Sequence, residues 1–192
     1  MEKIANELAE VNTVAIAGHV RPDGDCVGSC MGLYLYLKEN YPEIATDVYL
    51  ELPGEQFSFL SCFEEIKTAY EPGKVYDLLI TLDVSDKNRI GVALEGYETA
   101  KKRVCIDHHI SNRGLGDVNE IRPNASSTCE VLYTLLEEEK VSKVVAEALY
   151  TGMVHDTGVF SIFLYIAGNH AYCGKTHGKG HSFYKNCRRI LL

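Results

Sequence analysis

Aspartate and histidine side chains occur in four short clusters along the chain, and both residue types bind metal ions and carry protons. In chain order the clusters are His19 with Asp23 and Asp25, then Asp83, then Asp107 with His108 and His109, and last His155 with Asp156. Carboxylates and imidazoles without a cysteine partner favour divalent ions such as Mn²⁺ or Mg²⁺. Because acidic groups pack closely only when cations neutralise them, a metal centre is predicted where the clusters meet.

Strands alternate with helices along the first 160 residues, which predicts an α/β fold with a doubly wound, mostly parallel sheet flanked by helices. Apolar runs predict strands over residues 13–19, 47–52, 76–84, 103–107 and 118–121. Capping residues and apolar spacing predict helices over residues 25–40, 127–138 and 142–155. Ligands of an open parallel sheet bind beyond the carboxyl ends of its strands, so the four clusters are expected at one rim.

Taken singly, several of these residues have simpler interpretations. Asp23 and Asp25 flank Gly24 and could be turn residues, and Asp25 could also cap the following helix. His155 and Asp156 could mark a helix end. Asp83, however, follows the apolar run LLITL, where a buried carboxylate is costly unless it is paired or bound to a metal. The four clusters together therefore indicate chemistry that none of them indicates alone.

Two ions fit the number of candidate ligands better than one ion does. The HxxxDxD spacing of His19, Asp23 and Asp25 can divide its ligands between two ions, and a single buried aspartate can bridge them. Two ions about 3.5–4 Å apart clamp a phosphoryl group and deprotonate a bridging water for in-line attack. The residues therefore favour phosphoester hydrolysis.

Four segments between Thr13 and Phe160 carry a family resemblance, namely GHVRPDGDCVGS, LLITLDVSD, VCIDHH and TGMVHDTGVF. They resemble the four successive motifs of the DHH phosphoesterases. Within that superfamily the chain is most similar to the bacterial nanoRNase (oligoribonuclease) and phosphoadenosine-phosphate phosphatase type, which the segment PNASSTCEVLY also resembles. The resemblance implies a metal-dependent hydrolase with two Mn²⁺ ions, or Mg²⁺ in their place, that acts on short RNA oligonucleotides or phosphoadenosine phosphate.

The same resemblance implies a role for each residue of the four clusters. It implies that the first ion is held by His19, Asp23 and Asp83. It implies that the second ion is held by Asp25, Asp83, His108 and Asp156, with Asp83 as the bridge. Asp107 would orient a neighbouring imidazole. His109 would lie near the substrate phosphate or protonate the leaving group, and His155 would support the ligands from outside.

The composition changes near Phe160, and residues 1–160 are interpreted as the DHH catalytic domain. Residues 161–192 contain no Asp or Glu but five Lys or Arg. Reading allowed codons from Ala167 one base out of phase can give a peptide with a helix cap and helical apolar spacing. We therefore expect an aberrant basic tail derived from a frameshift. A tail that binds a polyanion is the other interpretation.

The family carries a C-terminal substrate-binding domain, which we expect to be absent here. Loss of half of the cleft would impair substrate orientation and exclusion of water, so weak or no activity is expected. Two alternatives stand beside this hypothesis. One is a truncated remnant that binds metal or a partner without turnover, and the other is a hydrolase similar to the family II pyrophosphatases.

Overall composition restricts the partners and the location. The formal net charge of −8 argues against binding to long duplex nucleic acid. No apolar run approaches the roughly 18 residues of a membrane span, and the N-terminus MEKIANELAEV lacks a secretory pattern. The seven scattered cysteines favour a reducing compartment. We therefore expect a cytoplasmic protein with no membrane partner.

Overall fold

A single sheet of five strands forms the centre of the computed structural model, which describes residues 1–158. The strands are β1 (Thr13–Ala17), β2 (Ala45–Tyr49), β3 (Leu78–Leu82), β4 (Lys102–Asp107) and β5 (Val118–Ile121). Their order across the sheet is β2-β1-β3-β4-β5, and every neighbouring pair is parallel. The predicted α/β fold with a parallel sheet is confirmed, and all five strand ends point to the same rim.

Helices cover both faces of the sheet. They are α1 (Gly24–Asn40), α2 (Leu94–Thr99), α3 (Thr128–Leu135) and α4 (Lys143–Asp156). Single 3₁₀ turns lie at Ile4–Glu7, Glu55–Phe57, Phe63–Glu65, Lys87–Arg89, Gly91–Ala93 and Glu138–Lys140. The larger core joins α1, α3 and α4 to strand residues such as Ile16 and Ile80. The smaller core on the other face contains Leu79 and Tyr49, with Tyr97 of α2 packed against it.

The bounds of several elements differ from those predicted, and three of these differences have a clear local reason. β3 stops at Leu82 because Asp83 adopts a left-handed backbone with φ of 61°, which cannot continue a strand. β2 begins at Ala45, not at residue 47, because it pairs residue by residue with the five residues of β1. α3 ends at Leu135 because the next residue is extended, and the predicted continuation to residue 138 is replaced by a separate 3₁₀ turn.

A close crossing of α1 and α4 places the first turn of one helix beside the last turn of the other. A Cβ on Gly28 of α1 would lie 2.6 Å from the carbonyl oxygen of Ala148. A Cβ on Gly152 of α4 would lie 2.8 Å from Asp25 Oδ1. Glycine at both positions therefore permits a backbone approach that any side chain would prevent. This crossing brings the ends of two distant helices to the rim.

The described residues cover nearly all of the segment predicted as the catalytic domain. Among them, no helix combines the length and the apolar character needed to cross a membrane. The predictions of a frameshift-derived basic tail and of a polyanion-binding tail fall on residues 161–192, which lie outside the described residues.

Candidate metal centre

All four predicted clusters meet at the carboxyl rim of the sheet. The loop after β1 and the first turn of α1 supply His19, Asp23 and Asp25, and the end of β3 supplies Asp83. The end of β4 supplies Asp107, His108 and His109, and the end of α4 supplies His155 and Asp156. Parallel strand order explains the meeting, because β1, β3 and β4 are neighbours in the middle of the sheet.

Asp83 lies at the middle of the centre and faces two groups of possible ligands. Its Oδ2 is 3.3 Å from His19 Nε2, whereas its Oδ1 is 3.8 Å from His108 Nε2. The side chain is only 2% exposed, and burial raises its pKa despite the opposing hydrogen bond from His19. A buried carboxylate whose two oxygens face opposite ways is suited to contact two cations.

The first group consists of His19, Asp23 and Asp83. His19 Nδ1 lies 2.8 Å from the carbonyl oxygen of Val20, which fixes the proton on Nδ1 and leaves Nε2 as a ligand atom. Nε2 is 3.7 Å from Asp23 Oδ1. Burial would lower the pKa of His19, but its interactions with Asp23 and Asp83 raise it to about 12. Without a metal, the imidazole thus carries the proton that neutralises these carboxylates.

The prediction that Asp25 caps α1 is wrong, because Asp23 has that role. Asp23 Oδ1 accepts hydrogen bonds from the backbone of Asp25 and Cys26, both at 3.1 Å. Asp25 lies inside the first turn and points towards α3, where Thr128 N donates to its Oδ2 at 2.6 Å and Cys129 N to its Oδ1 at 3.0 Å. The N-terminus of α3 thus holds a carboxylate from a distant helix.

The second group consists of Asp25, His108 and Asp156. His108 Nε2 is 3.8 Å from Asp25 Oδ2 and 3.2 Å from Asp156 Oδ2. Burial would lower the pKa of His108, but the hydrogen bond to Asp156 and the neighbouring carboxylates raise it to about 9. Burial, together with the charges of Asp83 and Asp156, raises the pKa of Asp25. The protein alone thus supplies too little positive charge to neutralise these crowded carboxylates.

Asp107 is fully buried and orients His109. Its Oδ1 accepts a hydrogen bond from His109 Nδ1 at 2.7 Å, and its Oδ2 accepts one from Asn112 Nδ2 at 2.6 Å. Burial alone would raise the pKa of Asp107, but these hydrogen bonds lower it. The bond at Nδ1 leaves His109 Nε2 available for another partner. The hydrogen bond to Asp107 is also the main reason that the pKa of His109 is raised.

His155 lies at the edge of the centre and belongs to neither group of ligands. It is exposed, and its ring packs against Gly24, where a Cβ would lie 2.4 Å from the imidazole. One of its ring nitrogens and one carboxylate oxygen each of Asp23 and Asp156 all lie within 4.8 Å of one another. Its predicted role in supporting the ligands stays a prediction.

Three residues of the centre were not assigned a role from the sequence. Thr128 donates its hydroxyl to Asp83 Oδ1 at 3.0 Å, and Asn112 holds Asp107. Cys26 Sγ accepts a hydrogen bond from His19 N at 3.2 Å. Thr128 belongs to the segment PNASSTCEVLY, which in the sequence indicates only a family resemblance. Its position at the start of a predicted helix is the sequence feature that could have indicated a role at the centre.

The donor set fits hard divalent cations. Its atoms are carboxylate oxygens and imidazole nitrogens, and the four carboxylates of the two groups carry charge that two divalent ions would neutralise. Cys26 also lies within ligand distance of His19 and Asp83, but its thiol is buried and burial raises its pKa. The oxygen and nitrogen ligands therefore favour Mn²⁺ or Mg²⁺ over a thiophilic metal.

Thr128→Val is expected to weaken Mn²⁺ binding about tenfold, because groups that orient metal ligands typically contribute 10–100-fold to affinity. The change removes the hydroxyl that holds Asp83 while keeping the shape of the side chain. Titration calorimetry with Mn²⁺ measures the effect. Thr99→Val is the matched control, because it removes a hydroxyl bonded to a backbone oxygen within α2. Equal affinities for the two variants would contradict the role given to Thr128.

Comparison with known proteins identifies related chains. A family described as "DHH family, N-terminal domain" matches residues 13–153. The chain is 34% identical over 164 residues to the bifunctional oligoribonuclease and PAP phosphatase NrnA of Bacillus subtilis, covering 82% of this chain and 50% of the relative. It is 31% identical over 164 residues to the NrnA of Thermus thermophilus, covering 83% and 48%.

A solved structure shows the same fold. The crystal structure of an exopolyphosphatase-related protein from Bacteroides fragilis superimposes with a TM-score of 0.85 at 21% identity, over 97% of this chain and 58% of that one. The chain thus spans about half the length of the curated relatives it matches.

Proposed function

The chain belongs to the DHH family, and from this premise we propose that it is a metal-dependent phosphoesterase of short oligoribonucleotides or phosphoadenosine phosphate. The observation that carries the proposal is the placement of Asp83, whose two oxygens face two separate groups of ligands. A phosphoryl group is attacked efficiently where two cations lie close together, and a shared carboxylate is the usual means of holding them so.

Two Mn²⁺ ions are proposed for the two groups. His19, Asp23 and Asp83 would hold the first ion, and Asp25, Asp83, His108 and Asp156 would hold the second. Ions bound there supply an activated water and neutralise charge on the phosphoryl oxygens. The protein's own contribution is to fix the ligands, which it does through the backbone contacts of His19 and Asp25 described above.

His109 is the proposed proton donor for the leaving group. Asp107 holds its Nδ1, so Nε2 is the nitrogen left to donate a proton. The imidazole is about one-third exposed, in contrast to the buried ligands His19 and Asp83. The hydrogen bond to Asp107 raises the pKa of His109, which favours the protonated ring that a general acid requires. Asp107 is accordingly a positioning residue.

The proposed substrates follow from charge and from relatives. The two NrnA relatives are named as bifunctional oligoribonucleases and PAP phosphatases. The chain carries a formal net charge of −8, so the cations are the main source of attraction for a phosphate, and small substrates need no extended basic surface. A cytoplasmic location, predicted from the scattered cysteines, is part of the same proposal.

The proposal is tested by incubating the full chain with Mn²⁺ and, in parallel, a diadenylate, phosphoadenosine phosphate or pyrophosphate. We expect only slow release of mononucleotide or orthophosphate from the first two substrates, in keeping with the weak activity expected from the sequence, and complete loss of that release with a chelator. Cleavage of pyrophosphate alone would favour the pyrophosphatase alternative. Two tightly bound Mn²⁺ ions without cleavage of any substrate would overturn the proposed activity and favour a non-catalytic metal-binding protein.

A further inference from the structure

A groove of about 410 Å³ opens directly beside the candidate metal centre. Its lining includes His108, His109 and Asp156 of the centre together with Ile110, Pro123, Asn124 and Ala125. The groove therefore combines residues of the metal centre with an apolar surface. Its volume lies in the range of roughly 300–1,000 Å³ that is typical of small-molecule sites.

Ile110 is the most exposed large apolar side chain among the described residues. It is 82% exposed, although it follows two histidines of the metal centre directly. The turn that carries it is tied down, because Asn112 N donates to His109 O at 3.1 Å and the Asn112 side chain bonds to Asp107. An apolar side chain that is exposed on a fixed turn indicates a contact surface.

The opposite wall is fixed to the same centre. Arg122 N donates to the carbonyl oxygen of Asp107 at 2.9 Å, and Ala125 N donates to Arg122 O at 2.9 Å. His108 Nδ1 lies 3.4 Å from the carbonyl oxygen of Ala125. Both walls of the groove are thus held by residues of the metal centre, so the groove is formed before any ligand binds.

We propose that this groove binds the nucleobase of the substrate, with the base between Ile110 and the segment Pro123–Ala125. The inference rests on the proposed function, which places the phosphate at the metal ions. A nucleotide joins one highly charged group to one flat ring with apolar faces, and the lining of the groove likewise combines residues of the metal centre with apolar side chains. Asn124 is an exposed residue of the same lining, and its amide can both donate and accept hydrogen bonds.

The test compares adenosine 5′-monophosphate with ribose 5-phosphate, which has the same phosphate and sugar but no base. Binding of each to the full chain saturated with Mn²⁺ is measured by calorimetry. We expect adenosine 5′-monophosphate to bind about tenfold more tightly, as one well-covered aliphatic contact provides. Ile110→Ser should remove most of that difference without changing the affinity for ribose 5-phosphate.

Leu52→Ser is the matched control, because Leu52 is 77% exposed and does not line the groove. It should leave both affinities unchanged. Equal binding of the two probes by the unmodified chain would overturn the groove proposal, as would an equal effect of Ile110→Ser on both probes or no effect on either. Hydrolysis of the diadenylate in that case would leave the proposed function intact. Failure of both probes to bind would contradict the phosphate site itself.

Discussion

Asp83→Asn is expected to remove both bound Mn²⁺ ions and to lower the rate of phosphoester hydrolysis on the order of a thousandfold. Asp83 faces both groups of ligands through its two oxygens, and asparagine keeps its shape but removes the negative charge. A thousandfold corresponds to about 4 kcal/mol of barrier, within the contribution of metal ions to charge stabilisation. Calorimetric titration gives the number and affinity of the ions, and steady-state assays give the rate.

The control for this variant is Asp86→Asn, three residues along the chain. Asp86 caps the 3₁₀ turn Lys87–Arg89 by accepting a hydrogen bond from Asn88 N, and it takes no part in the metal centre. Its substitution should leave metal binding unchanged. Asp83→Asn itself should fold, because it removes a crowded carboxylate from a buried site, and its melting temperature in chelator should not fall. Two ions bound at unchanged affinity would refute the bridging role.

Binding of Mn²⁺ is expected to release about two protons near pH 7, one from His19 and one from His108. Interactions with carboxylates raise the pKa of His19 to about 12 and that of His108 to about 9, so both imidazoles are protonated in the metal-free protein. An imidazole must lose its proton to bind a metal. Raising the pH from 6 to 8 therefore lowers the concentration of the protons that compete with the metal for each imidazole, and the affinity for each ion should rise about tenfold per pH unit.

Calorimetry in two buffers of different ionisation enthalpy measures the protons released. For the second ion the increase in affinity should level off above about pH 9, where His108 has already lost its proton. His108→Asn should reduce the release to about one proton, because only His19 then titrates. An affinity that stays constant between pH 6 and 8 would contradict the assignment of these two histidines as ligands.

Much of the rim could be predicted from the sequence because strand ends are local features. Asp83 follows a run of five residues of which four are apolar, and Asp107 with its two histidines follows a similar run, so both were placed at strand ends without knowledge of the fold. A parallel sheet then brings such ends to one edge. The placement of these residues needed only the strand pattern and the alternation with helices.

Contacts between residues that are distant in the chain could not be predicted in this way. Asp25 and Thr128 lie 103 residues apart, and their hydrogen bond depends on how α1 and α3 pack. The same packing explains why Asp25 was wrongly predicted to cap α1. Asp23 and Asp25 have the same residue type and both lie at the start of the helix, so the sequence alone does not distinguish them. Only the tertiary contact with α3 determines that Asp25 turns away from its own helix end.

The strand order has a consequence for partial unfolding. The ligands proposed for the first ion follow the neighbouring strands β1 and β3 and come from residues 19–83, whereas the second ion would also need Asp156 at the end of α4. Detachment of α4 would therefore disrupt the second site and leave the first site intact. The two ions should leave the protein in separate stages as it is denatured, and the cation held by the N-terminal half should persist longest.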